Sequence, residues 1–327
     1  MVQPPLWQPM SFLTPAQAEK KKVRRDANFI GFILIALLAG QHVVALVLRL
    51  LTQMKLLDIA AMNNTEYVLL NMVLYVAYLA VPALLVVLIS RRRQNPFPTR
   101  KVAARHYVVA LFGGMAMAVA ANYITGWIMS ILMSLGVPYP DLPSSQTGTP
   151  MSLVLNLVST AVLPAILEEM VMRGYVMGAL RRHGDKFAVV LSAALFGLIH
   201  GNVLQVPFAF MLGLALGWLV IQTGSIWPAV LLHFSNNAMS VLLEYMDIAT
   251  GQNVTPTVIT FLVLCASGMV VLTAAFLSNK PHNEDILRPI RNRVSALTVG
   301  QRVFTALTAP AMIVGVSVWI AVLLQLI

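Results

Sequence analysis

The sequence predicts an all-α fold: a polytopic bundle of about eight or nine transmembrane helices with a cytoplasmic N-terminus. Hydrophobic residues make up 58% of the chain and charged residues only 10%, whereas soluble domains carry about 25% charged residues. The apolar residues form runs long enough to cross the hydrocarbon core of a bilayer, which takes about 20 residues of helix. The basic residues lie almost entirely in alternate connections between these runs.

Nine apolar segments are predicted to be spans, although the fifth is short and is expected to be tilted or partly re-entrant. The spans are residues 28–51, 67–90, 107–135, 152–180, 187–201, 204–222, 226–246, 256–278 and 303–327. This pattern divides the chain into four regions. They are a cytoplasmic tail (1–27), N-terminal transmembrane helices (28–149), a core that holds the candidate site (150–246), and C-terminal transmembrane helices with a basic cytoplasmic loop (247–327).

The formal charge of +10 is explained by membrane topology. With the N-terminus in the cytoplasm, the 22 Lys and Arg residues lie in the tail or in inner loops, except for Arg49, Lys55 and Arg173. This distribution satisfies the positive-inside rule and predicts anionic lipid at the cytoplasmic face as a partner, rather than nucleic acid. The basic run before the first span is typical of a retained anchor. We expect the plasma (inner) membrane of a bacterium, although an endoplasmic reticulum membrane would satisfy the same rule.

Three charged residues lie inside the predicted fourth span: Glu168, Glu169 and Arg173. A charge at the bilayer centre costs at least about 2.5–3.5 kcal/mol, so such residues are usually paired and functional. Glu169 and Arg173 are four residues apart on one helix face and can form an ion pair. Glu168 points about 100° away and therefore faces another partner. Pro164 removes a backbone donor and should loosen the helix beside these residues.

Three histidines are predicted at membrane depth: His42, His200 and His233. Asn237 lies one helical turn after His233 on the same face, whereas His42 lacks a comparable partner and is predicted to be structural. The glutamates, the other two histidines and the asparagine supply a general base, metal ligands or proton carriers, and a neutral oxyanion donor. This set suits hydrolysis, although the same residues could form a structural clamp in a helix bundle. The single cysteine excludes a disulfide framework and a cysteine-rich metal site.

Three short motifs occur in order on separate predicted helices. The first is EExxxR at Glu168–Arg173, the second is FxxxH at Phe196–His200, and the third is HxxxN at His233–Asn237. In this combination the chain resembles the CPBP family, which includes the CAAX prenyl proteases and bacteriocin-processing enzymes. The resemblance covers roughly residues 150–246, and no motif position departs from the family pattern.

The resemblance implies an intramembrane peptidase with six site residues: Glu168, Glu169, Arg173, His200, His233 and Asn237. By resemblance, Glu168 activates the water that attacks the scissile carbonyl, and Asn237 stabilises the developing oxyanion. His200 and His233 hold a metal ion or orient that water, and the ion pair supports them. One expectation is therefore a Zn2+ ion held by His200, His233 and Glu168. The other is a metal-independent glutamate mechanism, since the sequence has no HExxH zinc helix.

We therefore expect an intramembrane endopeptidase that hydrolyses a peptide bond in a membrane-associated or lipidated peptide or protein. Two alternatives stay open. The first is a non-proteolytic protein of the same fold that acts as a membrane scaffold, chaperone or immunity protein. The second is a proton-coupled transporter that uses Glu168 and His200 as a relay, although the sequence lacks a convincing internal repeat of the kind that such transporters show.

Overall fold

The structure, a computed structural model, describes residues 13–89, 98–136, 148–253, 255–278 and 295–324. Within these ranges the chain is almost entirely helical and forms no β-strand; an isolated antiparallel bridge joins Thr99 and Ser225. The long helices follow the apolar runs because a backbone in lipid must satisfy its hydrogen bonds internally. The predicted all-α fold class is confirmed.

Each predicted span overlaps a helix, and the helix of the fourth span is irregular. π-Helical turns cover Leu157–Val162 and Met170–Val176, on either side of the α-helical segment Leu163–Glu169. Numbered in chain order, the helices are α1 (Pro15–Gln53), α2 (Asn64–Ile89), α3 (His106–Ser134), α4 (Pro150–His183), α5 (Asp185–Leu198), α6 (Val206–Thr223), α7 (Trp227–Thr250), α8 (Thr255–Ser278), α9 (Val299–Leu307) and α10 (Pro310–Leu323).

Within the described ranges, five helices are long and apolar enough to cross a membrane: α1, α2, α3, α4 and α6. The pair α9 and α10, which is bent by 75°, would make a sixth span. Helix α5 has only 14 residues and extends about 21 Å, less than the hydrocarbon thickness. The apolar sequence of helix α7 is interrupted by polar residues such as His233 and Asn236. The count of nine spans and the cytoplasmic N-terminus therefore stay predictions.

Helix α1 packs against α2 and α10, and its close approach to α10 depends on glycine. A Cβ atom at Gly31 would collide with the backbone of Ala311, and one at Gly315 would lie 2.9 Å from the Gly31 carbonyl oxygen. Trp319 Nε1 donates to the Leu34 carbonyl oxygen at 2.9 Å. Small residues at such a contact let helices approach closely, and here they hold α1 and α10 together beside the candidate site.

Helices α5 and α6 also pack closely through small residues. A Cβ atom at Gly213 would lie 3.1 Å from Ala193 and 3.3 Å from the ring of Phe196, and a Cβ atom at Gly217 would lie 3.2 Å from Val189. This spacing of small residues is typical of helix contacts in membranes. It brings the backbone of α6 next to the FxxxH motif.

Candidate active site

The buried ion pair predicted within α4 is present. Arg173 Nη1 lies 3.1 Å from Glu169 Oε1, and both side chains are fully buried. The guanidinium also donates from Nη2 to the Gly213 carbonyl oxygen at 3.1 Å, and its central carbon lies 4.5 Å from the centre of the Phe196 ring. Arg173 thus links α4 to α5 and α6. Each charge needs its partner, because an isolated buried ion is strongly destabilising.

Glu168 faces away from that ion pair, because successive residues of a helix point about 100° apart. Tyr75 Oη of α2 donates to Glu168 Oε1 at 2.5 Å, as expected for a hydroxyl bound to a carboxylate. Glu168 Oε2 lies 3.9 Å from His233 Nε2 and has no hydrogen-bond partner among the described residues. One oxygen of the carboxylate is therefore held by Tyr75, and the other is buried without a described hydrogen-bond partner.

His233 of α7 lies between the two glutamates. Its Nδ1 is 3.1 Å from Glu169 Oε1, and since an ionised carboxylate only accepts hydrogen bonds, Nδ1 carries a proton and donates. Nε2 is then the nitrogen that faces Glu168. The Glu169–Arg173 pair therefore sets both the orientation and the tautomer of this imidazole.

His200 follows the last turn of α5. Its Nδ1 donates to the Phe196 carbonyl oxygen at 2.7 Å, so Nε2 is the nitrogen available to the site. The Phe196 ring stands edge-on to both imidazoles, with its centre 4.9 Å from that of His200 and 5.8 Å from that of His233. The phenylalanine of FxxxH therefore spaces the two histidines, while its face contacts Arg173.

Asn237 bonds to the backbone of α4. Its Nδ2 donates to the Thr160 carbonyl oxygen at 3.0 Å. In a regular α-helix this carbonyl would accept from residue 164, but Pro164 has no N–H group. The asparagine compensates for that loss, at the π-helical turn Leu157–Val162. An amide nitrogen carries two hydrogens, so this bond leaves one hydrogen of Asn237 for another acceptor.

A cavity of about 200 Å³ lies beside Glu168 and His200. Its wall combines polar groups with large apolar side chains. The lining residues are Leu37, Gln41, Tyr75, Tyr78, Leu79, Glu168, Ile199, His200 and Trp319. The predicted residues of α4 and α5 thus meet a cleft whose other walls come from α1, α2 and α10.

Gln41, Tyr75 and Tyr78 are functional candidates that the sequence motifs do not contain. The available signal was weak: the two tyrosines lie three residues apart, and so share one face of an apolar span. Their rings pack edge to face with centres 5.3 Å apart. His42 is not among the residues that line this cavity, and its Nδ1 bonds to the Leu38 carbonyl oxygen at 2.9 Å; its structural role stays a prediction.

The donor set for the expected zinc ion is incomplete. Both imidazoles have Nδ1 engaged and Nε2 available, an orientation that metal-binding histidines share. However, one oxygen of Glu168 is bonded to Tyr75, and the described residues contain no group of three or more His, Cys, Asp or Glu that could hold a metal ion. The side chains as arranged therefore do not fit a three-ligand zinc site, and zinc stays an expectation from the resemblance.

Comparisons with known proteins found similarity to part of this chain. Residues 150–239 match the family described as type II CAAX prenyl endopeptidase, Rce1-like. Over 91 residues the chain is 25% identical to the "Putative membrane peptidase YdiL" of Bacillus subtilis (strain 168), a match that covers 28% of this chain and 37% of that relative. No solved structure matches the chain.

Together, the fold and these matches define the class of the protein. It is an integral membrane protein related to membrane proteases. More specifically, residues 150–239 are similar to the Rce1-like type II CAAX prenyl endopeptidases, which agrees with the resemblance to the CPBP family that the three motifs indicate. The matched region contains all six predicted site residues, whereas Gln41, Tyr75 and Tyr78 lie outside it. Because the chain matches little more than a third of its relative's length, its own activity and substrate are matters for proposal.

Proposed function

We propose that this protein is an intramembrane endopeptidase that hydrolyses a peptide bond in a membrane-associated or lipidated peptide or protein. The observation that carries the proposal is the environment of Glu168. One carboxylate oxygen accepts from Tyr75 at 2.5 Å, and the other lies 3.9 Å from His233 Nε2, beside a cavity that His200 also lines. A carboxylate held in this way is suited to take a proton from water.

The proposed reaction begins when Glu168 accepts a proton from a water molecule. The water oxygen bonds to the scissile carbonyl carbon, and the carbonyl oxygen becomes an oxyanion. The carboxyl group then gives its proton to the leaving nitrogen, and the C–N bond breaks to yield a carboxylic acid and an amine. The water's other hydrogen is donated to Nε2 of His200 or of His233, which orients the water, and the second amide hydrogen of Asn237 contacts the oxyanion.

The mixed wall of the cavity supports a membrane-embedded substrate. Hydrolysis at membrane depth needs a place for water, which the polar groups of Tyr75 and Glu168 provide. The apolar side chains of Leu37, Leu79 and Trp319 suit an apolar residue or a lipid chain of the substrate, because burial of such groups is favourable. The cavity therefore supports a substrate with both a peptide bond and an apolar segment.

The proposal includes a location in a bacterial plasma membrane with the N-terminus in the cytoplasm. It is supported by the basic residues of the tail and inner loops and by the positive-inside rule. The test is labelling of single cysteines introduced at Gln17 and at Asn63 in a Cys265→Ala background. A membrane-impermeant reagent added to intact cells should label position 63 and leave position 17 unlabelled until the cells are opened.

A second candidate, a non-proteolytic scaffold, is favoured by one observation. Arg173 contacts Gly213 and Phe196, and Asn237 bonds to Thr160, so the motif residues also hold the helices together. Residues that stabilise the bundle could be retained without catalysis. The two candidate functions predict different effects of a change at Glu168, whose carboxylate has an oxygen without a described protein partner.

The deciding experiment compares the wild type with Glu168→Gln, both purified in nanodiscs, on fluorogenic peptides with and without a lipid group. Gln has nearly the shape of Glu but cannot accept the proton, so cleavage should fall by about 10²–10⁴-fold. Glu244→Gln, an exposed change of the same kind on α7, is the matched control and should cleave like the wild type. Cleavage that survives in Glu168→Gln would refute the mechanism, and a folded wild type that cleaves no peptide would favour the scaffold.

A further inference from the structure

A second cavity, of about 550 Å³, lies between the first turns of α1 and helix α9 and shares no lining residue with the cavity beside Glu168. Four cations line it: Lys20, Lys21, Arg24 and Arg25. They lie at positions i, i+1, i+4 and i+5 of one helix and therefore form a single basic stripe. All four side chains are exposed, so the cavity concentrates positive charge at the end of a candidate span.

The acidic residues within and beside the basic stripe are engaged elsewhere. Glu19 accepts from the Ser295 hydroxyl at 2.5 Å and from the Ala296 backbone N–H at 2.8 Å. Asp26 is fully buried and accepts from His183 Nε2 at 2.8 Å. Apart from Arg25, which lies 3.6 Å from Asp26, the stripe forms no ion pair with a described residue. Among the described residues, the charges of Lys20, Lys21 and Arg24 are therefore not neutralised by an ion pair and can bind an anionic ligand.

Helix α9 adds an apolar edge to the same cavity. Phe304 lines it and is 70% exposed, and Val299 and Leu307 are also exposed. The helix meets α10 at 75°, so it does not continue the direction of that apolar helix. A short helix with exposed apolar residues beside a cluster of cations is typical of a segment that lies in the membrane interface.

The walls of the cavity are fixed relative to each other. Arg302 of α9 donates to the His183 carbonyl oxygen, and its guanidinium lies 5.8 Å from the centre of the Phe187 ring. His183 in turn bonds to Asp26 of α1 through its ring. α9 and the basic stripe are thus held in place through the end of α4, and a ligand between them would find its site already formed.

We propose that this cavity binds the phosphate of an anionic phospholipid, with the acyl chains lying against Phe304 and the other apolar side chains of α9. Lysine and arginine bind phosphate through charge-assisted hydrogen bonds, and basic pockets between membrane helices suit lipid head groups. The apolar edge distinguishes a lipid from a soluble phosphate, because only a lipid uses both surfaces. This proposal does not depend on peptidase activity.

The test is a titration of the full-length protein in detergent micelles, followed by native mass spectrometry, with phosphatidylglycerol and with phosphatidylcholine. The wild type should bind phosphatidylglycerol more tightly. Lys20→Gln/Arg24→Gln should weaken that binding about 30-fold, given the usual contribution of two cations. Arg100→Gln/Lys101→Gln removes the same charge from two exposed residues that do not line the cavity and should leave the affinity unchanged. Lys20→Arg/Lys21→Arg keeps the charge and should also bind normally.

Two further arms separate a lipid from free phosphate. Phe304→Ser should weaken phosphatidylglycerol binding, and inorganic phosphate should fail to displace the lipid. Displacement by phosphate, with Phe304→Ser binding like the wild type, would overturn the lipid assignment. Equal weakening in Lys20→Gln/Arg24→Gln and in Arg100→Gln/Lys101→Gln would overturn the site itself. The melting temperature is measured for each variant. If Lys20→Gln/Arg24→Gln lowers the melting temperature, the single variant Lys21→Gln decides the outcome.

Discussion

Tyr75 Oη donates a 2.5 Å hydrogen bond to Glu168 Oε1 across the contact between α2 and α4. Tyr75 lies outside residues 150–239, the part of the chain that matches the Rce1-like family. The candidate catalytic carboxylate is thus positioned by the N-terminal helices as well as by the matched core. The bond holds one oxygen of Glu168 and leaves the other beside His233, which is the arrangement that a base needs.

Loss of the Tyr75 hydroxyl is therefore expected to lower activity without preventing folding. A hydrogen bond to a charged group contributes about 1.5–3 kcal/mol, so Tyr75→Phe should lower kcat by about 10–100-fold at constant temperature. KM should change little, because the hydroxyl acts on Glu168 and not on the substrate. Steady-state kinetics in nanodiscs give both constants.

Tyr78→Phe is the control for that variant. Tyr78 lines the same cavity and packs edge to face with Tyr75, but among the described residues only Tyr75 donates to Glu168 Oε1. We expect Tyr78→Phe to keep most of the wild-type kcat. If the two variants lose activity equally, the hydroxyl of Tyr75 has no special role in positioning Glu168.

Removal of Arg173 should act mainly on stability. Arg173→Ala leaves Glu169 buried without its cation, and breaking a buried pair in this way costs about 3–5 kcal/mol. The free energy of unfolding, measured by denaturant titration in micelles, should fall by that amount. Glu169→Gln/Arg173→Met, which removes both charges, should recover part of the loss.

Helix α4 and the start of α5 offer a matched control for the Arg173 variant. Arg181 and Asp185 are also four residues apart, with Nε and Oδ1 separated by 3.3 Å, but the arginine side chain is 38% exposed. The Asp185 side chain is only 10% exposed, but a pair with one solvent-exposed partner contributes less than a fully buried pair, so Arg181→Ala should cost less stability than Arg173→Ala. Equal stability of Arg173→Ala and Arg181→Ala would show that burial does not make the Glu169 pair important.

Local spacing explains which parts of the site the sequence could predict. Glu169 and Arg173 are one turn apart on a helix, so their pairing follows from the sequence alone. Their contacts to Gly213 and Phe196, and the bond from Tyr75 to Glu168, join helices that are distant along the chain. Those contacts depend on how the helices pack, and a single sequence does not carry that information.

The span count shows the same limit in another form. Hydropathy identified the apolar segments correctly as helices, because lipid and a buried protein core select the same residues. It could not tell a helix that crosses the membrane from a shorter one such as α5, with 14 residues, or from the bent pair α9 and α10. The fold class is thus easier to predict than the number of crossings.

Asn237 is expected to affect both stability and catalysis. Asn237→Ala leaves the Thr160 carbonyl without its donor, which should cost about 1–3 kcal/mol of stability. A Pro164→Ala background restores a backbone N–H that can bond to Thr160, so Asn237→Ala should cost much less there. A double-mutant cycle of unfolding free energies measures this coupling. Equal costs in both backgrounds would show that Asn237 does not compensate for the proline.

The catalytic part of the Asn237 effect is separate from its bond to Thr160. Its second amide hydrogen is proposed to contact the oxyanion, and loss of one such donor lowers kcat by about 10²–10³-fold. In the Pro164→Ala background, where stability is preserved, Asn237→Ala should still show this loss of kcat. Full activity of that double variant would mean that the asparagine only supports the fold.

Metal removal tests whether the site binds the expected zinc ion, for which the described residues do not form a set of three ligands. Glu168 has one oxygen bonded to Tyr75, and no group of three ligands meets among the described side chains, so the proposed reaction uses no metal. Active protein dialysed against a chelator should keep its kcat, and metal analysis should find less than one zinc per chain. The opposite result would be a loss of activity on chelation that added zinc restores in the wild type but not in His200→Ala. That result would show that the histidines bind a catalytic metal.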